Sequence, residues 1–182
     1  ILSSEMREFI VECPSVEEQQ KIGTFFKQLN STIALHQRKL EKIKALKTAY
    51  LSEMYPAEGE SKPKRRFAGF TDDWEQRKLG EVVQITMGQS PNGTNYTENP
   101  NDYILVQGNA DMKNGQVVPR IWTKQITKTA AIGDIILSVR APVGDVGKTN
   151  YNVVLGRGVA GIKGDEFIYQ VLFKMRLENY WA

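Results

Sequence analysis

The sequence predicts an α+β fold in which one long coiled-coil-type helix precedes a mainly β domain with short helices. Three observations predict it. Ile22, Phe26, Leu29, Ile33, His36, Leu40, Ile43, Lys47, Tyr50 and Met54 recur at alternating steps of four and three. That is the seven-residue repeat of a helix burying one stripe against a partner helix. A stretch rich in Gly, Ser, Pro and charge (AEGESKPKRR, 57–66) then breaks the period. Beyond Phe67, short apolar runs alternate with turn chemistry, the pattern of successive strands.

The helix is expected over Pro14–Tyr55. Ser15 is placed to cap its start, Glu18 stands three residues later, and Pro56 cannot continue it. At a rise of 1.5 Å per residue, about forty residues make a rod of about 60 Å, which suits a spacer or a dimerisation arm. Ile22, Phe26, Leu29, Ile33, Leu40, Ile43 and Tyr50 are the expected pairing residues. His36 has no second ligand type one turn away, so it fixes register or partner choice. Lys47 can lay its stem along the seam. Before the helix, Phe9, Val11 and Cys13 alternate with polar residues as in a short strand. Such a strand cannot stand alone, so residues 1–13 are expected to close a preceding domain of a longer protein.

The 182 residues are 41% hydrophobic and 25% charged, with a net charge of +3, as in a soluble protein able to bury a core. A pI near 8.9 permits a polyanionic partner without demanding one. No apolar run reaches the roughly 20 residues of a membrane span, so no membrane partner is expected. The single cysteine, Cys13, excludes an internal disulfide and fits a reducing, cytoplasmic setting; its expected place is a buried strand.

After a linker at 56–66, whose Lys62, Lys64, Arg65 and Arg66 are either solvated or an arm for a phosphate backbone, strands are expected in series. They are 79–87, 103–107, 121–126, 135–139, 153–155 and 159–162. Asn92-Gly93 and Gly133-Asp134 mark turns, and Asn114-Gly115 marks a hairpin. Residues 167–177 have the length and period of a helix.

No catalytic motif in the sequence is complete. GDVGKT (144–149) approaches a phosphate-binding loop, a nucleotide-binding alternative that would use Lys148 and Thr149. The first glycine of that motif is Pro142 here, and β-type residues follow where a helix must start. NPNDY (99–103) lacks the second proline of an adenine methyltransferase motif. With one histidine and one cysteine, no metal cluster or nucleophile–base arrangement is expected. The loops do carry side chains that read base edges and phosphates: Gln89, Ser90, Asn92, Gln107, Asn109, Lys124, Arg140 and Arg157. Polar loops of this kind are also ordinary solvated surface, and a pure coiled-coil assembly scaffold is the other alternative.

Four stretches together carry a resemblance: PSVEEQQKI (14–22), TIALHQRKLEKIKALKTAYL (32–51), RFAGFTDDWEQRKL (66–79) and GDIILSVRAPVG (133–144). They resemble, in order and over nearly the whole chain, the specificity subunit of type I restriction–modification systems. The resemblance implies a DNA-recognition subunit without catalysis of its own. Its target-recognition domain, residues 67–182 here, would read half of a bipartite double-stranded target. It also implies an antiparallel partner for the helix, methyltransferase and restriction subunits as partners, and S-adenosylmethionine on the methyltransferase only. By the same likeness the chain is the central part of such a subunit, lacking a second conserved helix and the closing elements of the domain. The uncovered seam then predicts self-association.

Overall fold

A computed structural model describes residues 5–181, which divide into two compact units, Ile1–Tyr50 and Leu51–Ala182. The first is dominated by helix α1, Val16–Glu53, two residues shorter at each end than expected. Ser15 Oγ accepts a hydrogen bond from the Glu18 amide at 3.3 Å, the N-cap read from sequence. Glu17 and Glu18 place negative charge in the first turn, where the helix dipole favours it. The pairs Glu17–Lys21 and Glu41–Lys44 support the exposed face. The seam stays open within this unit: its pairing residues are between 40% (Tyr50) and 54% (Phe26, Ile43) exposed.

The expected strand over Phe9–Cys13 is absent. Glu5–Glu8 is a single 3-10 turn, residues 9–13 are irregular, and Cys13 is exposed rather than buried. A strand needs a neighbour for its N–H and C=O groups, and no described residue supplies one. Residues 1–4 of that stretch lie outside the described residues.

The second unit begins at Leu51 rather than after the expected linker, because the segment 56–66 is tied down. Arg65 Nε donates to Glu53 Oε2 at 2.6 Å, Lys62 pairs with Asp73 at 2.8 Å, and Arg66 donates to the Asp72 carbonyl. Tyr55, Trp74 and Phe167 pack their rings within 6 Å of one another. Three of the four cations of this segment, Lys62, Arg65 and Arg66, are thus engaged within the chain.

Two sheets form the body of this unit. One has six strands, in the order β1 (Gln84–Met87), β11 (Val159–Lys163), β8 (Ile135–Ser138), β9 (Val146–Lys148), β5 (Gln116–Val117), β4 (Met112–Lys113). The other has five, in the order β2 (Tyr96–Thr97), β6 (Ile121–Thr123), β3 (Tyr103–Val106), β10 (Val153–Leu155), β7 (Lys128–Ala130). Val106, Val117, Ala130, Ile136, Val153, Leu155 and Val159 make one core, drawn from both sheets. Ile135, Val146 and Ile162 turn the other way, onto Leu172 of helix α3 (Glu166–Leu177). Adjacent Ile135 and Ile136 therefore serve opposite faces, which explains why β8 reads as an unbroken apolar run.

Several local readings change. The stretch expected as one strand from Leu79 is a helical turn, α2 (Leu79–Val82), followed by β1. One turn places Leu79 and Val83 together against the α3 cluster. The predicted Asn114-Gly115 hairpin is present, with φ of 53° and 74°, the left-handed pair of a type I′ turn. Strands β2, β7 and β9 lie outside the strands expected from sequence, β2 within a stretch whose polar composition reads as loop. β7 buries only Ala130, and β9 carries Gly147, where an added Cβ would sit 3.1 Å from Met112 Sδ. Glycine in a strand marks such close approach and hides the strand signal.

The phosphate-loop reading falls with β9. Lys148 lies on a strand, pairs with Glu166 and sits 5.2 Å over the Tyr169 ring. Thr149 is 1% exposed and donates to the Tyr151 carbonyl. No helix starts there to cradle a phosphate.

Candidate nucleic-acid interface

One open concavity of about 340 Å³ gathers Ser90, Gln107, Gly108, Asn109, Arg140, Ala141, Arg157 and Gly158. Five of the eight residues picked from sequence meet there, although they lie up to 67 positions apart.

Glycines make the convergence physically allowed. The chain crosses from β10 to β11 through Gly156-Arg157-Gly158, running against the end of β3. A Cβ on Gly158 would lie 2.0 Å from the Gln107 carbonyl oxygen, and one on Gly88 would lie 2.0 Å from that of Gly156. The Gly156 amide donates to the Val106 carbonyl at 2.7 Å. Between these contacts the Arg157 amide donates to Ser90 Oγ at 3.2 Å, and the Arg157 side chain is exposed.

Arg140 follows β8. The Ser138 hydroxyl, 1% exposed, stands 3.0 Å from the carbonyl oxygens of both Arg140 and Pro142 and ties the loop that carries the arginine. Neither guanidinium, of Arg140 or of Arg157, has an ion-pair or hydrogen-bond partner among the described residues. Two uncompensated cations beside one concavity favour an electron-rich ligand.

Gln107, a third lining residue, is held at two points. Its amide nitrogen Nε2 donates to the Tyr96 hydroxyl at 2.8 Å, and its backbone amide donates to Asp111 Oδ2 at 2.8 Å. Asp111 is 5% exposed and also accepts from Gly108, so one carboxylate shapes the turn before Asn109.

The remaining three residues stand outside the concavity. Gln89 is exposed beside Ser90, and its carbonyl accepts from Thr127. Asn92 spends its side chain capping Thr94, which makes it a turn residue. Lys124 is exposed, with its backbone amide bonded to Asn95. Reading from sequence missed Tyr96, Asp111 and the three glycines. The Gly-Arg-Gly run was the one visible signal, and it marks two of the glycines, Gly156 and Gly158.

A family description, Type I restriction modification DNA specificity domain, matches residues 1–45 and 71–180. The chain belongs to that family. It is 29% identical over 171 residues to a protein of Methanocaldococcus jannaschii named as a candidate type I restriction enzyme MjaX specificity subunit. That match covers 91% of this chain and 40% of the relative. Among solved structures it is similar to the HsdS subunit of Thermoanaerobacter tengcongensis, with a TM-score of 0.63 and 29% identity, over 91% of this chain and 43% of that one. The type I S subunit of M. genitalium shares the fold at a TM-score of 0.53 and 12% identity, over 87% of this chain and 41% of that one. The chain thus spans about two fifths of the length of these specificity subunits. Within the family's architecture of long helix and mainly β domain, the concavity lies wholly in the β unit.

Proposed function

We propose that this chain is the sequence-specific DNA-recognition part of a type I restriction–modification complex, its β unit reading one half of a bipartite double-stranded target. The observation that carries this reading is the convergence of Arg140, Arg157, Gln107, Ser90 and Asn109 on one concavity in a DNA specificity domain. Arginine pairs bidentately with guanine, glutamine and asparagine with adenine, and serine with either. Lys124, exposed on the same β unit, would add a phosphate contact that positions the duplex without reading it, and Gln89, next to Ser90 in the chain, would add a further amide for a base edge.

The chain would perform no reaction itself. Methyltransferase and restriction subunits would dock on it in the cytoplasm, and S-adenosylmethionine would bind the methyltransferase. The α1 seam would be covered by a second helix, from elsewhere in the same protein or from a second copy, and so hold two readers at a fixed spacing.

Methylome sequencing of a cell carrying the system, with and without this chain, tests the proposal. A bipartite methylated motif should vanish on deletion. A motif that persists unchanged would refute the reading and leave an assembly scaffold.

A further inference from the structure

We propose that Gln107 reads an adenine in this site and that Tyr96 is the positioning residue that sets its amide for that base. The inference rests on the DNA-reading function proposed above. Three separate contacts immobilise Gln107. Its backbone amide is held by the nearly buried Asp111 carboxylate at 2.8 Å. Its stem lies against Gly156, where an added Cβ would come within 3.2 Å of Gln107 Cγ. Its Nε2 donates one hydrogen to the Tyr96 hydroxyl at 2.8 Å.

A glutamine amide offers two donor hydrogens and one acceptor oxygen. With one hydrogen committed to Tyr96, what remains is one N–H beside Oε1, a donor and an acceptor side by side. On the major-groove edges of the bases, adenine alone matches that pair, with its N7 acceptor next to its N6 amino donor. Guanine presents two acceptors there, which would set Oε1 against O6. A phosphate would gain little, because the amide carries no charge. Arg140 and Arg157 flank the same concavity and fit guanine or phosphate, so the three side chains divide the reading between them.

A side chain already fixed also loses little rotamer freedom on binding. Without the tyrosine hydroxyl the amide could turn over and offer the reversed pattern.

The test is selection from a randomised duplex DNA library by the chain in complex with its methyltransferase, using wild type, Gln107→Ala and Tyr96→Phe. Wild type should select a half-site containing an invariant adenine. Gln107→Ala should lose discrimination at that one position by roughly 5- to 150-fold and keep the others. Tyr96→Phe should weaken the same position only, whereas a merely structural tyrosine would lower binding to all sequences alike. A probe that needs no substitution guards against misfolding: replacing that adenine by 7-deazaadenine removes N7 and should weaken wild type but not Gln107→Ala. Unchanged selection by Gln107→Ala, or loss at a guanine position, overturns the assignment while leaving the DNA-reading function intact. No sequence preference in wild type overturns both.

Discussion

Gly158→Ala should damage the candidate site more than any substitution of its charged residues damages the fold. The new methyl carbon would stand 2.0 Å from the Gln107 carbonyl oxygen. Ordinary C···O contacts start near about 3.3 Å, so the β10–β11 crossing and the end of β3 must part by about 1 Å. The obstacle is backbone, which cannot swing aside as a flexible side chain could. Two hydrogen bonds lie in the path of that movement: Gly156 amide to Val106 carbonyl at 2.7 Å, and Val139 amide to Gly158 carbonyl at 2.9 Å. Overpacking of this kind costs about 1–3 kcal/mol. For a unit of this size that lowers Tm by about 3–12 °C. Scanning calorimetry of wild type, Gly158→Ala and Gly93→Ala measures it. Gly93 meets nothing within 4 Å of an added Cβ and should melt with wild type. A Gly158→Ala protein that also melts with wild type, and keeps its DNA selectivity, would refute the account of how Arg157 is positioned.

Three further outcomes are expected. The 182-residue chain should self-associate in sedimentation at micromolar concentration, because each large apolar seam residue left in water forfeits about 1.5–3 kcal/mol relative to burial. The pair Leu29→Glu and Leu40→Glu should abolish it, and a clean wild-type monomer would contradict the seam. Ser138→Ala should destabilise the β unit by about 0.5–1.5 kcal/mol in urea unfolding and weaken DNA binding through the Arg140 loop; unchanged stability would remove the hydroxyl from the argument. Hydrogen bonds from Lys62 and Ser61 hold the Asp73 carboxyl below the usual carboxylate range. A depressed folded value means that the clasp contributes above about pH 3.9 and is lost as pH falls through the folded pKa. A carboxyl NMR midpoint for Asp73 at or above that value would contradict it.

Sequence patterns disclosed the large elements where one physical signal dominated. The long helix under the heptad stripe from Ile22, the Ser15 cap, the Asn114-Gly115 turn and the buried strand Ile135–Ser138 all form where their patterns place them. Signals failed where tertiary contact replaced local preference. Val146-Gly147-Lys148 is too short and, with Gly147 at its centre, too poor in side-chain surface to read as a strand, yet pairing with β8 makes it one. Phe9–Cys13 alternates like a strand but finds no partner among the described residues. In the site, residue type picked out Arg140, Arg157, Ser90, Gln107 and Asn109, because few side chains combine charge or amide groups with loop placement. Asn92 has the same chemistry but spends it on its own turn, a distinction that hydrogen-bond geometry makes and composition cannot. Tyr96 escaped notice because its relevant atom is one hydroxyl reaching a residue two strands away.

Arg140 and Arg157 are the residues proposed above to meet DNA. Equilibrium binding of the methyltransferase complex to its own half-site and to a scrambled duplex, across a salt series, tests this most directly. An Arg→Ala change at a base-reading position should cost about 1–3 kcal/mol on the true site and narrow the gap to the scrambled one, whereas loss of a phosphate contact should weaken both duplexes alike and reduce the salt slope by about one. If Arg140→Ala and Arg157→Ala leave affinity, selectivity and salt slope as in wild type, the concavity is not where this protein reads DNA.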